Sequence, residues 1–438
     1  MAQFYKPQTR AQRQPSRSLK GQQVVGLDHL GRGIIRTPQG TKFVAGTAPG
    51  DVISVSVTGR YDAQLIGIEQ PSAIRVTPPC SYYQTCGGCD LQHLADDEQW
   101  QHKQRTVQEM LKKFAQLQAQ QWLQPLRGAR WHYRRRARLA VYWNRQRQQL
   151  TLGFRAAKSK QIIAIDSCLV LAKPLDQLLQ PLRSLLEQLQ CTARLGHVEL
   201  IEFTQQLVVL LRLPEVPNAA DHQQLQAFAE QHQVAVWAET DQALTPLHAR
   251  PEPMSYRSHR VEVASWPTDF MQGHRELSEQ MVAQVIQWLA PTAQDQVLEL
   301  FAGSGNFTLP IALTGAQVTA IEGIPSMVNR LQDSATQLKL PVVAHCANLE
   351  ETWSQQPWAN SPFNKVLLDP ARAGAAVAIG EVARRQPERI VYVSCAPDTL
   401  ARDAQVLVEH GYQLKQAQLV DMFPQTHHIE VITLFERG

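Results

Sequence analysis

"LELFAGSGNFTLPIA", residues 298 to 312, decides the fold. An apolar run stops at a glycine turn and a helical pattern follows, so the segment reads as strand, tight loop, helix. Gly303 and Gly305 let a ligand approach the backbone, and a helix start offers free N–H groups. The third glycine of a G-x-G-x-x-G fingerprint would stand at 308, but Thr308 is there, so the dinucleotide signature is incomplete. Glu322 ends the next apolar run, seventeen residues beyond Gly305, and suits an acceptor for ribose hydroxyls.

Outward from this loop the rhythm is regular. "QVLELFA", "QVTAIEG", "PVVAHCA", "NKVLLDP" and "RIVYVSCAP" are five apolar runs separated by helix-length segments, and "YQLKQAQLVDMF" and "HIEVITLFER" close the chain. Alternation of this kind predicts a doubly wound α/β sheet. Glu299, just before the G-x-G turn, suits S-adenosylmethionine, whose methionine ammonium needs a nearby carboxylate or carbonyl.

Upstream, residues 21 to 76 read as short β-runs punctuated by glycine, which predicts a small barrel. Val107, Met110, Leu111, Phe114 and Leu117 fall at helical spacing, and this helix, over 95–118, is expected to pack on the catalytic domain. Residues 170 to 265 read as mixed α/β without recognisable chemistry. The expected domains are 18–76, 77–268 and 269–438.

The 438 residues carry a net charge of +4, unevenly spread. Residues 1 to 27 hold five Lys or Arg and residues 110 to 165 hold thirteen, with no acid in either segment. The remainder of the chain therefore stands at −14, a segregation expected of a polyanion-binding region on an acidic protein. Read as one strand, "HYRRRARLAVYW" places His132, Arg134, Arg136 and Arg138 on one face, a strip able to follow phosphates. No apolar run reaches the roughly 18 residues of a membrane span, and the first twenty residues lack a secretory h-region. A cytoplasmic protein is the expectation.

Seven cysteines in such a chain argue against a disulfide framework. Cys80, Cys86 and Cys89 cluster in "PPCSYYQTCGGCDLQH", and Cys168 could supply a fourth thiolate. Four thiolates suit zinc or an iron–sulfur cluster, and the three-plus-one spacing leans toward iron–sulfur. His93 is a weaker candidate ligand. Cys395, in "VYVSCAPDTLARD", lies where a strand ends rather than within it, a position that suits a nucleophile. "LLDPAR" ends the preceding strand with Asp369, and the last segment, "DMFPQTHHIE", carries Glu430; a carboxylate, a thiol and the cofactor loop fall at one predicted sheet edge.

Cys-x5-CGGC-x-LQH, "YRRRAR", "LFAGSGNFTLP", "LLDPARAG", "YVSC-x-P-x-TLARD" and "DMFPQTHHIE" together resemble the RNA uracil-C5 methyltransferases over roughly residues 20 to 438. The fold this implies is α/β: an N-terminal TRAM/OB-like β-barrel, a central α+β domain carrying an iron–sulfur cluster, and a C-terminal Rossmann-like domain that uses S-adenosylmethionine. The barrel and the cysteines together are similar to the bacterial branch acting on 23S ribosomal RNA. The tRNA branch lacks both, and a shorter rRNA relative has the cluster alone.

The resemblance implies methylation of carbon 5 of a uridine, with Cys395 as nucleophile and Glu430 as general base. Gln272, Phe301, Asn306, Glu322, Asn348 and Asp369 would line the cofactor pocket, with Gln272 and Asp369 also near the uracil edge. Cys80, Cys86, Cys89 and Cys168 would hold a [4Fe–4S] cluster. The expected partner is 23S rRNA; the chain is expected to be a monomer, with no obligatory protein partner and no membrane. Two alternatives stay open: the same reaction on another RNA, and a catalytically silent RNA-binding protein. Three positions depart from the family pattern: Ala396 for an asparagine after the nucleophile, His274 for an asparagine in "DFMQGH", and Ala302 for a cysteine.

Overall fold

A computed structural model of the chain describes residues 18–353 and 355–438. Most of the basic amino-terminal segment read from the sequence, residues 1–17, lies outside the described residues. The chain divides into two compact units. One comprises the described residues up to Pro78 with Asp90–His102; the other comprises Pro79–Cys89 with Lys103–Gly438.

The first unit is a five-stranded antiparallel sheet in the order Gly40–Val44, Gly33–Thr37, Ser18–Leu27, Val52–Val57, Ala63–Gln70. Phe43 N–H donates to the Tyr61 carbonyl, bringing the two outer strands together into the small barrel that the turn spacing predicts. Val24, Ile35, Val44, Ile53 and Val55 fill its interior. Asp51 organises one end. Buried, it accepts hydrogen bonds from the amides of Ala48 and Ser72 and from Arg75, and these hold its carboxyl below the usual carboxylate range although burial alone would raise it. His93 belongs to this unit. Its Nε2 bonds the Thr47 carbonyl, and burial holds the ring neutral, near pKa 4.

The second unit contains two large sheets. The first runs Leu244–His248, Val234–Glu239, Leu207–Arg212, His197–Glu202, Arg136–Asn144, Gln149–Arg155, Ile162–Ala164. Helices Leu179–Gln188 and Ala219–His232 cover one of its faces with Leu179, Leu182, Leu186, Leu225 and Phe228. On the other face Ile201, Phe203, Leu210 and Trp237 merge with the core of the second large sheet. One hydrophobic core therefore runs across the boundary expected near residue 268.

The second large sheet is doubly wound, as the alternation predicts. Its order is Val342–Cys346, Gln317–Glu322, Gln296–Leu300, Lys365–Leu368, Arg389–Ser394, Glu430–Arg437, Tyr412–Val420, Gln121–Trp122. The first five strands are parallel, and the three nearest the middle, Gln296–Leu300, Lys365–Leu368 and Arg389–Ser394, are almost wholly buried between helices on both faces. Successive strands leave Gln296–Leu300 in one direction and resume at Lys365–Leu368 in the other, which makes the gap between their carboxyl ends the switch point where such sheets bind ligands.

Helix Asp96–Ala115 starts with Asp96, Asp97 and Glu98 and ends with Lys112 and Lys113, charges that complement its dipole. Its buried stripe is Lys103, Val107 and Leu111, while Phe114 stays exposed. Lys103 Nζ lies 2.6 Å from Asp421 Oδ1 and donates to the Phe423 carbonyl at 2.9 Å, so this helix grips the segment leading to Glu430. The expected packing of helix on catalytic domain thus runs through a buried ion pair.

The arginine strip does not form as one strand face. His132 has φ +56°, and regular pairing begins only at Arg136, so the alternation is broken before it reaches Arg134. Arg136 is committed inside: it donates to Glu199 and to the carbonyls of Pro267 and Asp269. Arg135 is turned into the protein, where Nε donates to the Gln272 carbonyl and the guanidinium lies 5.0 Å from the Tyr256 ring centre.

Candidate active site

The chain leaves strand Gln296–Leu300 through a left-handed turn. Phe301 has φ +64°, Gly303 +57° and Gly305 +100°. At Gly305 a Cβ would also stand 2.5 Å from Leu331 Cδ1, so only glycine fits. The helix that follows, Thr308–Ala312, is short. Glu322 pins the turn: one carboxylate oxygen accepts from Gly303 N–H and the other from Ile324 N–H, both at 3.0 Å. The proposed ribose acceptor is therefore first a brace between two loops, with lone pairs to spare.

Glu299 is buried beneath this turn, and its Oε2 has no hydrogen-bond partner. Burial, with Asp369 and Glu322 nearby, pushes its carboxyl up to about 8. Asn306 Oδ1 is another buried atom without a partner, while the Asn306 carbonyl accepts from the Ser258 hydroxyl. Two unpartnered acceptors at one turn are costly unless a donor arrives. Phe301 is half-buried at the same turn. Gln272 is buried with its carbonyl held by Arg135. Asn348 is exposed and bonded locally to Glu350 and Glu351.

Across the switch point Asp369 follows strand Lys365–Leu368, its amide donating to the Leu300 carbonyl. Its side chain is only partly covered, yet desolvation still pushes its carboxyl up to about 7. Glu430, 3% exposed, opens strand Glu430–Arg437; burial and then Asp369 hold it well above the carboxylate range. Cys395 follows strand Arg389–Ser394, half-buried. Its thiol is pushed up to about 12, first by burial, then by Glu430 and Asp369, with Arg372 acting the other way. Asp369 thus interacts with Glu299, Glu430 and Cys395 alike, and the thiol, both carboxylates and the glycine turn share one sheet edge.

Residues to which the sequence reading gave no role hold this edge in place. Asp403, buried in helix Pro397–Glu409, accepts from Ala375 N–H at 2.6 Å and from the Tyr392 hydroxyl at 2.7 Å. Arg402 donates to the Ala373 carbonyl and Thr399 to that of Arg372. Gly374 has φ +75°, and a Cβ there would lie 2.5 Å from Arg402 Nη2. "TLARD" therefore staples "DPARAG" down and fixes Asp369 and Arg372 relative to Cys395. A sequence signal was present: Asp403 falls at helical spacing with Leu400, Ala404 and Leu407, a charge on an otherwise apolar face.

The departures from the family pattern find local explanations. The backbone of Ala396 is held by the hydroxyls of Ser394 and Thr399. His274 caps helix Arg275–Leu289, its Nδ1 accepting from Leu277 N–H while Nε2–H donates to the Ala129 carbonyl, with the ring stacked on Tyr133. Ala302 is packed in the core.

Away from this edge, the 80–89 loop pairs with the turn after Arg155: Gly87 N–H donates to the Arg155 carbonyl, and a Cβ on Gly87 would meet Ala157 N at 2.8 Å. None of the four candidate cysteines forms a disulfide. Burial, then Cys86 and Cys80, push Cys168 up to about 11, and Cys89 and Cys168 both act on Tyr133, so the four share one neighbourhood. Among the described residues no group of three or more Cys, His, Asp or Glu converges closely enough for a single metal ion.

A doubly wound sheet with a thiol and acids at its switch point defines a class, and sequence comparison defines the family. The profile of the tRNA (Uracil-5-)-methyltransferase family matches residues 95–340 and 358–438, and the chain belongs to that family. It is 40% identical over 446 residues to the 23S rRNA (uracil(1939)-C(5))-methyltransferase RlmD of Shewanella piezotolerans, covering 100% of both chains. The protein of the same name from Shewanella halifaxensis is 42% identical over 446 residues, covering 100% of this chain and 99% of its own. The crystal structure of Pyrococcus abyssi tRNA (uracil-54, C5)-methyltransferase in complex with S-adenosyl-L-homocysteine superposes with a TM-score of 0.74 at 21% identity, over 95% of this chain and 99% of that one, so the extent of the chain does not separate the rRNA branch from every tRNA enzyme as the sequence reading expects. Among the described residues no helix is long and apolar enough to cross a membrane.

The electrostatics yield one direct expectation. Asp369→Asn removes a negative neighbour of Cys395 and should speed alkylation of that thiol by iodoacetamide at pH 9 roughly fivefold. Peptide mass spectrometry reads the rate, and an unchanged or slower rate contradicts the assigned coupling.

Proposed function

We propose that this protein transfers a methyl group from S-adenosylmethionine to carbon 5 of a uridine in 23S rRNA. The observation that carries the reading is the gathering of Cys395 and Glu430 around Asp369 beside the glycine turn. Full-length relatives named for this reaction support the choice of RNA.

The site fits the cofactor. A pocket lined by acidic groups, with unpartnered acceptors on Glu299 and Asn306, suits a ligand carrying an ammonium and a sulfonium. Glu322, Gln272, Phe301, Asn348 and Asp369 would complete its contacts. Bound there, S-adenosylmethionine supplies an electrophilic methyl group.

The chain's own residues do the rest. Carbon 5 of uracil is a weak nucleophile. The Cys395 thiolate adds to carbon 6, and the electron pair of the 5,6 double bond moves toward O4 as an enolate. Carbon 5 then takes the methyl, whose bond to the cofactor sulfur breaks to leave neutral S-adenosylhomocysteine, while the Cys395 sulfur stays bonded to carbon 6. Glu430 abstracts the carbon 5 hydrogen, the double bond re-forms, and the thiolate leaves by β-elimination. Burial makes the Glu430 carboxylate a stronger base than a solvated one, which suits proton abstraction from carbon. In free protein the thiol and the Glu430 carboxyl both favour their protonated forms, so each must lose its proton to solvent as the complex forms; the positive ligand beside Asp369 favours that state. The target base must first leave its stack, at a cost of about a few kcal/mol.

Cys80, Cys86, Cys89 and Cys168 would hold a [4Fe–4S] cluster with a structural or RNA-positioning role, since the methylation needs no electron. The five-stranded barrel would serve as a TRAM-type RNA-binding module, and the chain would act as a monomer.

Incubating the protein with labelled S-adenosylmethionine and unmodified 23S rRNA should place label at carbon 5 of one uridine. No label there would favour a silent binding protein, and label only on tRNA would favour the other branch. Cys395→Ala should abolish both turnover and covalent RNA adduct, whereas Glu430→Gln should let adduct accumulate; an adduct surviving in the alanine variant contradicts the assignment. Protein purified without oxygen should be brown with broad visible absorption, and a colourless zinc protein would overturn the cluster.

A further inference from the structure

One face of the Arg136–Asn144 sheet is exposed at Arg138, Tyr142, Arg155 and Ala164, around a buried Gly153. Ala137, Leu139, Leu150, Leu152 and Phe154 point into the helix-covered core, so Arg138, Ala140, Tyr142, Thr151, Gly153 and Arg155 point the other way. Where strand His197–Glu202 continues this face, the catalytic core covers Ile201; at Tyr142 nothing does, and its ring is 56% exposed.

The surface has a definite shape. Ala140 pairs with Gly153, which pairs with Ala164, making a floor of small residues three strands wide. Gly153 cannot carry a side chain, because a Cβ would collide with the Ile163 carbonyl oxygen. Tyr142, opposite Thr151, bounds the floor on one side. Arg138 and Arg155 stand two residues along each strand on the other side, and the turn beyond Arg155 adds exposed Lys158 and Lys160.

The charges there are unbalanced. The buried Glu199 carboxylate faces both Arg136 and Arg138 and fixes Arg138 at 2.7 Å with its side chain still 67% exposed. Arg155, Lys158 and Lys160 have no carboxylate partner among the described residues; Arg155 donates only to the Lys160 carbonyl. An exposed aromatic ring over a flat floor, rimmed by exposed cations of which Arg138 alone is paired, is what an unpaired base with flanking phosphates requires. A protein partner would need acidic, apolar complementarity to one small tyrosine-centred patch, and the charge favours a polyanion.

We propose that this open sheet face is a second RNA contact, away from the catalytic edge. An unpaired base of the substrate stacks on Tyr142 above the Ala140–Gly153–Ala164 floor, while its phosphates lie along Arg138, Arg155, Lys158 and Lys160. The proposal rests on the RNA-methylating reading only for the identity of the RNA.

The test uses the full chain, a fluorescent single-stranded RNA oligomer and a 23S rRNA fragment. Tyr142→Ala should weaken oligomer binding about tenfold and raise KM for the fragment with little change in kcat, and Tyr142→Phe should restore both. Replacing Arg155, Lys158 and Lys160 by alanine should lower the slope of log affinity against log salt by about 2 to 3. Oligomer affinity unchanged in Tyr142→Ala, an unchanged salt slope, or a wild-type protein that does not bind the oligomer overturns the platform. Wild-type protein that binds the oligomer through Tyr142 but does not methylate the fragment overturns the proposed function and leaves the platform standing.

Discussion

Burying several carboxyl groups around one thiol, at the end of a parallel sheet, is the constraint on which the rest depends. Asp369 interacts with Glu299, with Glu430 and with Cys395, and burial raises all four. Ionising them together in free protein would be unfavourable, so the resting site keeps protons and the thiol is quiet. A cationic ligand reverses that preference. The same arrangement that makes the free site reluctant to ionise would favour a positively charged ligand beside Asp369.

Such a site needs a rigid frame, because neighbouring negative groups would otherwise move apart. Asp403 and Arg402 hold the loop that carries Asp369 and Arg372, with Gly374 allowing the close approach. Glu322 braces the glycine turn from the opposite side of the switch point. The Lys103–Asp421 pair anchors the approach to Glu430 from a helix more than three hundred residues earlier in sequence. Asp403, Arg402, Lys103 and Asp421 are committed to backbone or to one another, so their role is positioning, whereas Glu322 keeps lone pairs for a ligand as well.

Much of this was readable from sequence, for physical reasons. Five apolar runs at β length, separated by helical segments, leave little choice but a parallel sheet, and strand ends then bring Cys395, Asp369 and Glu322 to one edge. Glu430 needed the family resemblance, since its strand is antiparallel and its position does not follow from the strand-end rule. What periodicity could not reveal were departures from periodicity. The left-handed residue at His132 breaks the arginine strip, and Arg135 and Arg136 turn inward to partners distant in sequence. Alternation says which residues share a sheet face but not how far another layer covers it, so the open surface at Tyr142 emerges only in three dimensions.

The central claim is a transient bond between the Cys395 sulfur and carbon 6 of a uracil, broken only after Glu430 removes the hydrogen on carbon 5. RNA carrying 5-fluorouridine tests it most directly, because a fluorine at carbon 5 cannot leave as a cation and the bond should persist after methyl transfer. Mass spectrometry of the digested complex should then find a methylated fluorouridine attached to the peptide containing Cys395. Absence of any adduct while ordinary RNA is methylated at carbon 5, or attachment at another residue, would contradict the account.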